Sequence, residues 1–163
     1  SITSPLKRRL AKHPAIESNL EAINTLRHVG PGQWKGIDTD RVGMTEVLSL
    51  LKHSSVTPGA IAMIGKGGVS PAVLTAISQT PGWFLAHHAS AREGWTEDAP
   101  KEAQLVINAA GNFDNAYENA PECQVWLDLH YTDVREPPSG LHISGARFFE
   151  AQAQAQRDFW SKA

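Results

Sequence analysis

The chain has 163 residues, of which 41% are hydrophobic and 20% are charged, and its formal net charge is −2. This balance predicts a folded domain and no basic stripe for nucleic acid, and the single cysteine, Cys123, excludes an internal disulfide. No apolar run approaches the ~20 residues of a membrane span and no signal-peptide pattern is present, so we expect a cytoplasmic protein with no membrane partner.

The first third of the chain contains two predicted helices. Leu6 and Leu10 lie four residues apart after a proline that suits a first helical turn, which predicts a helix over 5–12. Residues 16–29 combine a short helical pattern, IESNLEAIN, with the apolar TLRHV. Hydrophobic residues at three- and four-residue spacings predict an amphipathic helix over 40–53.

From residue 60 onward, predicted strands alternate with helical or loop stretches. The expected strands lie at 60–64 and 82–88 and within 102–110 and 123–131, and the expected helices lie at 69–79 and 146–160. The proline- and glycine-rich stretch 135–140 is expected to be a loop or hinge. This alternation predicts an α/β fold with a parallel sheet.

A glycine-rich turn, Gly65-Lys66-Gly67-Gly68, separates the strand predicted at 60–64 from the helix predicted at 69–79. Such a turn can present backbone N–H groups and a helix N-terminus to a pyrophosphate, and glycine avoids blocking the phosphate. The same glycines would equally serve a turn that binds nothing. The rest of the sequence must decide between these two interpretations.

The end of the strand at 82–88 indicates which dinucleotide would bind. NAD enzymes place a carboxylate there for the ribose hydroxyls, but this sequence has none. His88, Ser90 and Arg92 could instead meet a 2′-phosphate, which favours NADP and leaves NAD possible. No metal site is expected, because adjacent histidines on a strand point to opposite faces and no third ligand is evident.

Seven short motifs follow one another along the whole chain: SITSPLK (1–7), AINT (22–25), GIDTDRVG (36–43), GKGGV (65–69), NAA (108–110), DLHY (128–131) and the stretch 145–160. In this order they resemble the shikimate dehydrogenase family, whose motifs read NxTxPxK, AVNT, GxNTDxxG, GAGGA, NAT, DxxY and GxxMLxxQAxxxFxxW. Ser1 stands where the family has asparagine.

The resemblance implies reversible, NADP-dependent reduction of 3-dehydroshikimate to shikimate. It implies proton transfer by a Lys7–Asp40 pair, since a carboxylate holds an ammonium in place and the ammonium can stabilise charge that builds on oxygen. It implies substrate hydrogen bonds from Thr3, Asn24 and Gln152. The cofactor-binding residues that it implies are Gly65, Gly67, Gly68, Asn108, Tyr131 and Gly145. His88 and Arg92 are added to them by the strand-end chemistry described above.

Ordinary structural roles are open to the same residues. Lys7 would otherwise be an exposed helix lysine, and Asp40 would otherwise be a helix N-cap, a position that Thr39 could also fill. Gln152 would otherwise belong to a polar helix face that it shares with Gln154 and Gln156.

The resemblance also implies a two-lobed architecture with a Rossmann-like parallel sheet. Residues 41–140 would form the NADP-binding domain, residues 1–40 a partial substrate-binding lobe, and residues 141–163 a helix that returns to that lobe. Family members carry a further N-terminal stretch with serines that grip the substrate carboxylate. We therefore expect a truncated or divergent member, whose missing part lies upstream in the gene, comes from another chain or does not exist. A homodimer is one expected form.

Two other functions are compatible with the sequence. One is a related dehydrogenase that acts on quinate or an aminated analogue. The other is a dinucleotide-binding fragment or regulatory module without turnover.

Overall fold

The computed structural model describes residues 4–130 and 135–162 of the chain. Five helices and eight strands alternate along these residues. In chain order they are α1 (Ser4–Ala11), β1 (Ile16–Glu17), β2 (Thr25–Gly30), β3 (Gln33–Ile37), α2 (Thr39–His53), β4 (Ala60–Ile64), α3 (Ser70–Gln79), β5 (Phe84–Ala89), β6 (Glu102–Asn108), α4 (Asp114–Tyr117), β7 (Glu122–Asp128), β8 (Leu141–Ile143) and α5 (Ala146–Ser161).

Five of the strands form one parallel sheet in the order β5-β4-β6-β7-β8. Its strands are rich in buried β-branched and aliphatic residues because both faces are covered. Helices α2, α3 and α5 pack on one face, and a second cluster around Trp126 covers the other. The expected α/β fold with a Rossmann-like parallel sheet is confirmed.

A smaller sheet of three strands, in the order β1-β3-β2, precedes α2. Strand β1 runs parallel to β3, whereas β2 runs antiparallel to it. The end of α5 is fixed to β2 by two hydrogen bonds, one from Trp160 Nε1 to the Leu26 carbonyl at 3.0 Å and one from Arg27 Nη1 to the Phe159 carbonyl at 2.9 Å. Helix α5 therefore contacts both sheets.

The structure departs from the expected elements in four places, one of which is the short helix α4, which was not expected. The helical pattern at 16–24 is wrong, because the Ser18 hydroxyl accepts the Leu20 N–H at 3.2 Å and forms a local turn that competes with a helix. Strand β3 was not expected. Strand β8 was not expected either, and it continues the large sheet just beyond the expected boundary at 140.

Within residues 4–130 and 135–162, no helix combines the length and the apolar character needed to cross a bilayer.

Candidate active site

Lys7 and Asp40 form a buried ion pair between α1 and the first turn of α2. Their side chains are only 8% and 10% exposed. The Lys7 ammonium also donates to the Gly68 carbonyl at 3.2 Å, so it joins α1, α2 and the glycine-rich turn. Lys7 is therefore not the exposed helix lysine of the ordinary alternative.

The N-cap of α2 is Asp38, whose Oδ1 accepts the Asp40 N–H at 3.2 Å. This leaves the Asp40 carboxylate free to face Lys7. Burial, and after it the Asp40 charge, raise the pKa of Asp38. Neither Asp40 nor Thr39 is the cap, and Asp38 is a residue that the sequence interpretation missed.

Gln152 on α5 completes the surroundings of Asp40. Its Nε2 donates to Asp40 Oδ1, while Lys7 contacts Oδ2. Helix α5 reaches this position because it packs closely on α2 at Gly43, where an added Cβ would lie 2.9 Å from Gln152 Cγ and 3.1 Å from the Phe148 carbonyl. This close approach of the two helices explains why the GIDTDRVG motif ends in a glycine, Gly43.

Asn24 precedes β2 and points one end of its amide into the protein. Its Oδ1 accepts the Thr39 N–H at 2.9 Å, the Thr39 hydroxyl at 3.0 Å and the Thr25 hydroxyl at 3.1 Å. The backbone donor fixes which end of the amide is oxygen. Only the Nδ2 donors of Asn24 are left for a ligand.

A cavity of about 430 Å³ brings these groups together at the junction of both sheets. Its polar lining comes from α1, α2, α5 and the residue before β2. Its apolar lining comes from the residue after β7, from the glycine-rich turn and from α5. The lining residues are Lys7, Asn24, Asp40, Gly68, Val69, Leu129, Phe148, Gln152 and Gln156. Gln156 is the second residue that the sequence interpretation did not assign to the site.

The glycine-rich turn connects β4 to α3 beside this cavity. Gly65 has φ of +108°, and an added Cβ would lie 2.6 Å from the Ala109 carbonyl carbon, so packing alone requires this glycine. An added Cβ on Gly67 would meet nothing within 4 Å. The two glycines therefore have different reasons to be present.

The backbone of the turn leaves donors available. Within the described residues, the N–H groups of Lys66, Gly67 and Gly68 donate to no protein acceptor. The Gly65 carbonyl is turned inward, where it bonds with the Ser70 hydroxyl at 2.7 Å and with His88 Nε2 at 2.9 Å. A set of free N–H groups before a helix N-terminus is the arrangement that binds phosphate.

His88 and Arg92, which were expected to meet a 2′-phosphate, have different surroundings in the structure. His88 is engaged with the Gly65 carbonyl and supports the turn. Arg92 is exposed beyond the end of β5, and its guanidinium makes no hydrogen bond or ion pair with other described residues.

The remaining expected cofactor residues lie at the carboxyl ends of β6 and β7. Asn108 is fully buried and donates from Nδ2 to Asp128 Oδ1 at 2.7 Å, while its Oδ1 accepts the Ala110 N–H at 3.0 Å. An added Cβ on Gly145 would lie 2.8 Å from the Asp128 carbonyl oxygen, so this glycine allows α5 to start against the end of β7. Thr3 and Tyr131 lie outside the described residues.

Among residues 4–130 and 135–162, no cluster of three or more His, Cys, Asp or Glu side chains could hold a metal ion.

The chain matches no family model and no curated protein. Among solved structures, it is similar to a chorismate mutase/shikimate 5-dehydrogenase fusion protein from Clostridium acetobutylicum, with a TM-score of 0.74, 19% identity, 97% of this chain covered and 68% of that chain. It is similar to a shikimate dehydrogenase in complex with NADP+, with a TM-score of 0.69, 18% identity, 98% of this chain and 69% of that chain.

It is also similar to a quinate dehydrogenase from Corynebacterium glutamicum in complex with NAD, with a TM-score of 0.67, 18% identity, 93% of this chain and 68% of that chain. At these identities the likenesses establish the fold. The chain therefore has the fold of these dehydrogenases over nearly its whole length.

Proposed function

We propose that this protein is an NADP-dependent oxidoreductase of the shikimate dehydrogenase type, which catalyses reversible reduction of 3-dehydroshikimate to shikimate. The observation that carries the proposal is the buried Lys7–Asp40 pair in a cavity that also borders the glycine-rich turn. The fold shared with solved shikimate and quinate dehydrogenases supports it.

Lys7 supplies the proton in the direction of reduction. As the carbonyl carbon of the substrate accepts a hydride, its oxygen gains negative charge and takes a proton from the Lys7 ammonium. In the reverse direction the neutral amine accepts that proton from the alcohol. Asp40 positions the ammonium through Oδ2 and is itself held by Gln152 through Oδ1.

The dinucleotide, when bound, supplies or accepts the hydride. The glycine-rich turn fits its pyrophosphate, because the N–H groups of Lys66, Gly67 and Gly68 are free of protein acceptors within the described residues and the space above Gly67 is open. Arg92, whose guanidinium makes no hydrogen bond or ion pair with other described residues, fits the 2′-phosphate of NADP.

The substrate is bound by the polar lining of the cavity. Asn24 offers its Nδ2 donors, and Gln152 has an Oε1 acceptor and a second Nε2 hydrogen beyond its bond to Asp40. These groups favour a small molecule with several hydroxyls, since an analogue that lacks a hydroxyl leaves a buried partner unpaired. Thr3 remains a predicted substrate contact.

The test is absorbance at the reduced-nicotinamide band with purified protein, NADP and shikimate, and with NAD and quinate in parallel. Lys7→Ala is expected to lower kcat by about 10²–10⁴-fold, because the proton donor is lost. Lys12→Ala is the matched control, since Lys12 is exposed at the end of the same N-terminal region. A thermal melt of each variant separates loss of chemistry from loss of the fold.

The possible outcomes separate the functions. Turnover that Lys7→Ala abolishes and Lys12→Ala leaves intact supports the proposal, and faster turnover with quinate would reassign the substrate. NADPH binding without turnover would indicate a dinucleotide-binding module. Failure to bind either dinucleotide would contradict the role given to the glycine-rich turn.

A further inference from the structure

Gln156 shares the cavity with the Lys7–Asp40 pair although no motif points to it. Phe148, Gln152 and Gln156 follow one another at four-residue intervals on α5, and all three line the same cavity. Four residues along a helix advance it by about 6 Å. The stripe therefore places the backbone of Gln156 about 6 Å farther along α5 than that of Gln152, whose amide contacts Asp40.

The hydrogen bonds around Gln156 leave its donor weakly occupied. Its Nε2 lies 3.5 Å from both the Thr25 and the Thr39 hydroxyl oxygens, which is the outer limit of a hydrogen bond. Both hydroxyls donate their own hydrogen to Asn24 Oδ1, at 3.1 Å and 3.0 Å. No stronger partner for the Gln156 amide is present among the described residues.

Asn24 and Gln156 therefore offer this part of the cavity two sets of hydrogen-bond donors. Asn24 can offer only its Nδ2 hydrogens, because its oxygen is already occupied by three donors. Gln156 adds the Nε2 hydrogens. Together they match an oxygen acceptor, either a carboxylate or a hydroxyl oxygen, and they carry no negative charge that would repel an anion.

We infer that Gln156 is a substrate-binding residue, which with Asn24 binds an acceptor oxygen of the substrate in the cavity that Lys7 also lines. This rests on the proposed function, because it concerns the same substrate. It defines the substrate class more narrowly, as a small molecule that carries a second acceptor oxygen besides its reacting oxygen.

The experiment compares Gln156→Ala and Gln156→Glu with the wild type in steady-state kinetics with shikimate and NADP. Gln156→Ala is expected to raise the KM for shikimate about tenfold, because one hydrogen bond is lost. Gln156→Glu is expected to raise it further, because a carboxylate replaces the donor. Both should leave kcat, the KM for NADP and the melting temperature near wild-type values, since a remote contact contributes to binding of substrate and transition state alike.

Gln154→Glu is the matched control, because Gln154 lies on the same helix with its side chain exposed and bonded to Asp158. It makes the same charge change outside the cavity and should leave all the constants unchanged. The methyl ester of shikimate identifies the acceptor. If the effect of Gln156→Glu shrinks on the ester, the acceptor is the carboxylate, and if it persists, the acceptor is a hydroxyl.

Equal KM values for the wild type and both Gln156 variants would overturn the inference while turnover by the wild type upholds the proposed function. A parallel loss of melting temperature and NADP affinity would also overturn it, because that pattern belongs to a structural residue. If the wild type neither turns over nor binds shikimate, the proposed function fails and this inference fails with it.

Discussion

Asp38 shows how one residue can prepare the site without taking part in it. It caps α2 by accepting the Asp40 N–H, and so lets the Asp40 carboxylate turn to Lys7 and Gln152. As a result the Asp38 carboxylate is buried close to the Asp40 carboxylate, which is unfavourable for its charged form. Burial is the larger cause of the raised pKa of Asp38 and repulsion by Asp40 is the next.

We expect Asp38→Asn to be more stable than the wild type at neutral pH, because asparagine caps a helix as well as aspartate and carries no charge to bury. The raised pKa means that the folded protein binds this proton more tightly than the unfolded chain. Wild-type stability should therefore fall as pH rises from the unfolded value near 3.8 through the folded value.

Melting temperatures of both proteins between pH 3 and pH 8 provide the measurement. The advantage of Asp38→Asn should be full at the upper end and vanish below about pH 4. An advantage independent of pH would mean that the carboxylate charge is not the cause.

At the scale of elements, the turn from β4 to α3 contains one tightly packed glycine and one glycine with open space around it. Gly65 is fixed by the strand end at Ala109 and by a φ of +108°, whereas Gly67 has open space around it. The Gly65 carbonyl is held by Ser70 and His88. One turn thus contains a glycine that the fold requires and a glycine that the protein's own packing does not require.

The pair Gly65→Ala and Gly67→Ala tests this division. Gly65→Ala should lower the free energy of unfolding by roughly 1–3 kcal/mol through backbone strain and a clash with Ala109. Gly67→Ala should change it by less than about 0.5 kcal/mol but weaken NADPH binding, because a methyl group would stand where the pyrophosphate approaches.

Urea unfolding gives the first quantity for each variant, and fluorescence titration with NADPH gives the second. If Gly67→Ala bound NADPH as tightly as the wild type, the prediction that this turn binds the pyrophosphate would be contradicted.

At the scale of the whole molecule, α5 joins the two sheets around the cavity. Phe148 is 5% exposed and packs in the core with α2 and α3, Gln152 contacts Asp40, and Trp160 bonds to β2. Residues more than 100 positions apart in sequence are thereby brought into one site. Stability and site geometry should depend together on this helix.

Phe148→Ala should lower the free energy of unfolding by about 3–5 kcal/mol, the usual loss for a buried phenylalanine. Its neighbour Phe149 is 50% exposed, and Phe149→Ala should cost much less. Urea denaturation of the two variants makes the comparison, and equal losses would contradict the place given to α5 in the core.

The sequence by itself determined the parallel α/β core, because runs such as AIAMI and LVI are apolar on both faces and the helices between them have clear periodicity. It did not reveal β3 or β8, which are short and only partly buried. The pattern at 16–24 imitated a helix, because local hydrogen bonding by Ser18 leaves no trace in hydrophobic spacing.

The same division holds for the site. Family-like motifs in the sequence nominated Lys7, Asp40, Asn24 and Gln152, but spacing alone could not bring together residues 33 and 112 positions apart. Only the tertiary structure decided that Lys7 is buried, that Asp38 rather than Asp40 caps α2, and that Gln156 reaches the cavity. The physical reason is that burial, charge pairing and hydrogen-bond direction depend on which helices pack together, and that packing is a property of the whole fold.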